Sequence, residues 1–145
     1  MTPGRERVWR TRLIAAAFAI ATVLLGVAVR KLLPAGFWSK YGGVALWSVL
    51  VYSLFVAAKP RWTVLRTALT TLAVSWIVEF SQITPGPAWL AKQYPFLAWI
   101  LGTTFSVWDL PAYAIGVLVA AAVHRLIRGP RVAVRRTNSE NEAPG

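Results

Sequence analysis

Four long apolar runs, separated by short basic or turn-rich segments, constrain this chain of 145 residues more than anything else in it. The first, Leu13 to Val29, holds 17 residues without a charge, with Arg5, Arg7, Arg10 and Arg12 before it and Arg30 and Lys31 after it. The others are Val44 to Ala58, Trp62 to Ile83 and Leu110 to Ile127. A hydrocarbon core of about 30 Å takes ~20 helical residues, with ~17 at the short end of the range. The runs therefore predict an all-α membrane protein with four transmembrane helices. Composition agrees: 57% of residues are hydrophobic and 14% charged. The formal charge of +11 does not point to nucleic acid, because the cations cluster at the ends of apolar runs rather than spreading over a polar surface.

Residues 1–12 form a basic N-terminus, 13–127 the four-helix membrane domain, and 128–145 a polar tail expected to be disordered. A basic start followed by a short apolar run also describes a signal peptide. No small-x-small cleavage site precedes Arg30-Lys31, and Pro34-Ala35-Gly36 is a weak substitute, so the first helix is expected to be retained. The third run stops at Thr84-Pro85-Gly86-Pro87, which predicts a helix end followed by a loop. Ala88 to Val107 is rich in Trp but interrupted by Lys92, Tyr94, Pro95 and Gly102, so it reads as an interfacial or re-entrant segment between helices three and four.

Cations in short loops set orientation. With both termini on one side, twelve Lys and Arg fall on that face and four (Arg30, Lys31, Lys40, Lys92) on the other. This places both termini in the cytoplasm, with the basic clusters touching anionic lipid.

Glu79 and Asp109 are the acids of the hydrophobic body; Glu6, Glu140 and Glu142 lie in the polar termini. Glu79 stands about four residues, or ~6 Å, before the outer end of helix three, and Asp109 at the outer start of helix four. Arg30, Lys31, Lys40 and Tyr41 reach the same level. A carboxylate at mid-membrane costs up to ~2.5–3.5 kcal/mol, less near the interface, so Glu79 should face the bundle interior. Ser75 and Gln82 share its helical face. One reading is an outward-facing polar pocket of Glu79, Gln82, Asp109 and Tyr113, with Arg30, Lys40 and Tyr41 near its rim. The other is an interhelical clamp, worth ~0.6–2 kcal/mol. Asp109-Leu110-Pro111 is also a good helix start, with Trp108 and Tyr113 spaced as a hydrophobic staple. Gly116 is expected to permit close helix packing, Trp47 and Trp76 to lie deep, and His124 to sit at the cytoplasmic interface.

Catalytic and cofactor chemistry finds little footing. There is no Cys, one His, no G-x-S-x-G elbow, no H-E-x-x-H, no phosphate-binding loop and no dinucleotide fingerprint. No catalytic residue, metal site or cofactor is assigned, and enzyme is the less favoured class.

Lys40-Tyr41, Gly43, Leu46-Trp47, Glu79-Phe80-Ser81-Gln82, Phe105, Trp108-Asp109-Leu110, Ala112-Tyr113 and Ile115-Gly116 together resemble the small bacterial membrane proteins of domain-of-unknown-function family 2809. The ordered set also resembles the broader VanZ-like group, whose pattern of acid-x-x-Gln and Asp-x-x-x-polar-x-x-Gly falls here on Glu79, Gln82, Asp109, Tyr113 and Gly116. The chain departs from the pattern at Val44, where an acid is frequent, and at Lys92, where an Arg is usual. The resemblance implies a bacterial inner-membrane protein without an established activity; the pocket reading adds an envelope-related ligand, such as a lipid head group or a glycopeptide. Two further readings stay open: a structural or accessory subunit, and a small transporter or flippase. The last would require a homo-oligomer, since four short helices enclose little volume.

Overall fold

The computed structural model describes residues 3–34, 36–102 and 104–128. Those residues form six helices: α1 (Pro3–Leu32), α2 (Phe37–Ala58), α3 (Val64–Ser81), α4 (Pro85–Gln93), α5 (Leu97–Leu101) and α6 (Asp109–Arg128). By length and composition α1, α2, α3 and α6 can each cross a membrane. They run antiparallel in sequence order, with α2 packed on α1, α3 and α6, and α6 also packed on α3. Of the expected tail, Arg128 ends α6 and the rest lies outside the described residues.

The apolar runs mark the spans but not their ends. α1 starts at Pro3, inside the segment read as a separate basic terminus. Arginines are good helix formers that snorkel from a helix end, and Pro suits a first helical turn. α2 takes in Phe37–Gly43, so Gly42-Gly43 does not break it. α3 begins one residue after Thr63, whose side chain accepts the Arg66 backbone N–H at 3.2 Å. The stretch after Thr84 departs from the expected loop: Pro85 opens α4, because a proline at N1 needs no hydrogen bond and already has helical φ. The interrupted segment therefore contains two short helices, α4 and α5.

The interior inverts the pattern of a soluble bundle. The largest fully buried side chains are Glu79, Thr67, Thr71, Ser48 and Ser75, whereas Leu24, Leu65, Ile77 and Leu118 are exposed. Lipid is as apolar as leucine, so it gives helices no reason to hide leucines from it; close approach of small residues and polar contacts does the packing. The Thr67 and Thr71 hydroxyls donate to the carbonyls of Thr63 and Thr67 within α3. Gly116 is where α6 comes closest to α2: a Cβ there would collide with Ser48 Oγ and the Ala45 carbonyl oxygen. Ser48 Oγ lies 2.8 Å from Ala45 O and 3.0 Å from Tyr113 O, sharing its one proton between them. One expected placement is corrected and another refined. Trp76 lies on the outer surface of the bundle, since the buried stripe of α3 passes through Ser75 and Glu79. His124, at the basic end of α6 as expected, is turned into the bundle rather than outward, because it falls on the face of α6 that carries Tyr113, Gly116, Val117 and Ala120.

Candidate functional site: a closed carboxylate centre

Glu79 sits near the C-terminal end of α3 on the helix's buried stripe, four residues after Ser75, and no part of it reaches the surface. Three donors converge on it. The Ser106 backbone N–H reaches Oε1 at 2.7 Å, while the Tyr113 hydroxyl and Gln82 Nε2 reach Oε2 at 3.1 and 3.3 Å. An ionised carboxylate only accepts, so all three bonds suit that form. The centre joins α3, α6 and the chain between α5 and α6.

Gln82 extends the network, donating from Nε2 to the Leu101 carbonyl at 2.7 Å. The backbone then turns sharply at Gly102, with φ +67°. A Cβ at Gly102 would stand 2.7 Å from Gln82 Nε2, so glycine is required both for the left-handed conformation and for the amide's space. After that turn the chain returns over Glu79 to present Ser106 N–H, and Ser106 O accepts from Asp109 N at 2.9 Å to start α6.

Asp109 is buried beside the centre but outside it. Its Oδ1 accepts no hydrogen bond and lies 3.7 Å from Lys40 Nζ, which is half-exposed. A backbone cap through that oxygen is therefore not formed. Lys40 Nζ also donates to Ser106 Oγ at 3.3 Å and stands 5.2 Å from the centre of the Tyr41 ring. Tyr41 packs on Phe37, with ring centres 4.6 Å apart. Arg30 is exposed in the last turn of α1. Trp108 is exposed while Tyr113 is buried with its hydroxyl on Glu79, so the pair does not form the expected staple. Ser75 is fully buried, and its Oγ has no hydrogen-bond partner.

Glu79, Gln82 and Tyr113 thus come together; Asp109, Lys40 and Tyr41 form an adjoining polar edge. The arrangement is closed, unlike the open pocket expected. The parts that close it, Ser106 N–H and the Leu101 carbonyl, are backbone groups of the interrupted segment. The sequence hint to them was Gly102, a helix-terminating residue in an apolar stretch. Among the described residues no group of three or more His, Cys, Asp or Glu could hold a metal.

No solved structure matches the chain. A family model described as a protein of unknown function (DUF2809) matches residues 33–117, more than half of the sequence. The matched stretch contains Lys40, Glu79, Gln82, Ser106, Asp109, Tyr113 and Gly116, and leaves out all of α1 and the last part of α6. The chain belongs to the DUF2809 family of proteins of unknown function.

Proposed function

We propose that this is a non-enzymatic structural or accessory protein of the bacterial inner membrane, in which Glu79 clamps α3, α6 and the α5–α6 connection. The observation that carries this reading is the complete burial of Glu79 with a donor on each carboxylate oxygen. Such a centre has no free face for a substrate, and it fixes the outer surface for contact with a partner. The basic end bearing both termini faces the cytoplasm, following the cation asymmetry. The absence of native Cys permits a clean check: Glu6→Cys should react with membrane-impermeant maleimide only in opened cells.

A second reading is favoured by one observation, the buried Asp109 Oδ1 without a hydrogen bond beside half-exposed Lys40. There an envelope-related ligand, a lipid head group or a glycopeptide carrying both donors and an anionic group, would displace Lys40. Glu79→Gln, Glu79→Ala and Asp109→Asn separate the readings. In a clamp, Gln keeps an acceptor for Ser106 N–H and can donate to Tyr113 Oη, losing only the long bond from Gln82 Nε2, so stability falls by no more than about 1–2 kcal/mol. Ala orphans both donors and should cost about 2–4 kcal/mol. A glycopeptide or head-group probe that binds wild type and is lost in a stably folded Asp109→Asn would overturn the clamp as the function.

A further inference from the structure

At the end of the bundle opposite Glu79, an open groove of about 1510 Å³ runs between α1, α2 and α6. Its inner walls are apolar, with Phe18, Val49 and Val119 among them. At its mouth stand Arg7 and Arg10 of α1, Arg61 of the α2–α3 turn, and Arg125 and Arg128 of α6. No Asp or Glu lines it; Glu6 is exposed on the first turn of α1 and points no carboxylate into the lining. Arg128 is held on the carbonyls of Trp62 and Pro60, at 2.8 and 2.5 Å; these neutral acceptors leave its charge in place, so five cations set the charge of the mouth.

His124, also on the lining, is more than nine-tenths buried. Its Nδ1 is 2.8 Å from the Tyr52 hydroxyl. With Tyr52 donating, the ring proton sits on Nε2, which has no acceptor among the described residues. A buried donor without a partner is costly, and an anion would satisfy it. The groove therefore combines an apolar trough, a cationic mouth and an unmet donor.

We infer that this groove seats one anionic phospholipid, with an acyl chain along Phe18, Val49 and Val119 and the phosphate among Arg7, Arg10, Arg61 and Arg125, within reach of His124 Nε2. The site is independent of the clamp: His124 is fifteen residues beyond Asp109, about 22 Å along α6. It also lies mostly outside the family-matched residues.

Native mass spectrometry of the full chain, released from nanodiscs of phosphatidylglycerol, phosphatidylcholine or their equimolar mixture, tests it. One phosphatidylglycerol should remain bound per chain, preferred at least tenfold over phosphatidylcholine. Arg7→Ala and Arg61→Ala are both at exposed positions and should keep the fold; each should lower retention about fivefold. His124→Phe should also lower retention, while Lys92→Ala, at an exposed position outside the groove, should not change it. Equal retention of the two lipids, or indifference to both Arg changes, would overturn the assignment. So would displacement of the lipid by millimolar inorganic phosphate, which would leave the acyl trough without a role. Removal of residues 130–145 should leave retention unchanged; a gain on removal would mean that the tail occupies the groove, and the inference would fail.

Discussion

Gly102→Ala tests how the α5–α6 connection is held. Two costs add in the wild-type background. The first is backbone: φ +67° with ψ 176° lies in a region essentially reserved for glycine, which costs a residue with Cβ about 1–3 kcal/mol. The second is collision, because the new methyl would stand 2.7 Å from Gln82 Nε2 and 3.1 Å from its Cδ. That amide cannot swing aside freely, since Nε2 is bonded to Leu101 O at 2.7 Å and Glu79 Oε2 at 3.3 Å. Breaking those bonds costs about 1–2 kcal/mol, so the total is about 2–5 kcal/mol. In a Gln82→Ala background the collision disappears and Gly102→Ala should cost only the backbone part. The two changes should therefore be non-additive by about 1 kcal/mol or more. Equilibrium unfolding by SDS in mixed micelles measures each corner of the cycle. Gly86→Ala is the control, because its Cβ would meet only Thr84 Oγ1, at an ordinary 3.5 Å; it should lie within about 0.5 kcal/mol of wild type. If Gly102→Ala costs the same with and without Gln82, the amide does not hold the turn as described and the reasoning fails.

Other substitutions follow from the same geometry. Gly116→Ala should destabilise by about 1–3 kcal/mol in the same unfolding assay, since a methyl there drives α6 away from Ser48 and Ala45; a neutral result would mean the helices are farther apart. Lys40→Ala should cost under about 1 kcal/mol, because its pair with Asp109 is long and half in solvent, and thermal unfolding in detergent would register anything larger. Tyr52→Phe should cost about 1–2 kcal/mol by leaving His124 Nδ1 unbonded at a buried position, and an NMR shift of the His124 ring would accompany it.

The spans were legible because a bilayer demands long uncharged runs, a requirement that no tertiary contact relaxes. Their ends were less legible. Arg5 through Arg12 look like a terminus, yet they extend α1, since aliphatic stems let guanidinium groups ride a helix out of the membrane. Glu79, Gln82 and Tyr113 could be grouped because helix periodicity and span depth both place them, and Glu79's burial follows from the cost of a lipid-facing charge. Ser106 and Leu101 could not be found, because they act through backbone atoms that carry no signature in side-chain chemistry. For His124 the level along the helix is legible and the direction is not. Depth alone put it at an interface, while the phase of α6 turns it inward onto Tyr52.

Ties at both ends couple α6 to α3 and to the turn that leads into it, so that they act as a matched pair of rods. At one end Tyr113 reaches Glu79; at the other, Arg128 reaches the carbonyls of Trp62 and Pro60. Between these pegs Thr67 and Thr71 spend their hydroxyl protons within α3. Register along the pair is thus fixed at its ends, and neither rod can change length alone. Inserting one turn, four residues or about 6 Å, into α3 pulls one peg out of reach. The same insertion made in both helices lets both ties close again, so paired insertions should recover stability that single ones lose in SDS titration.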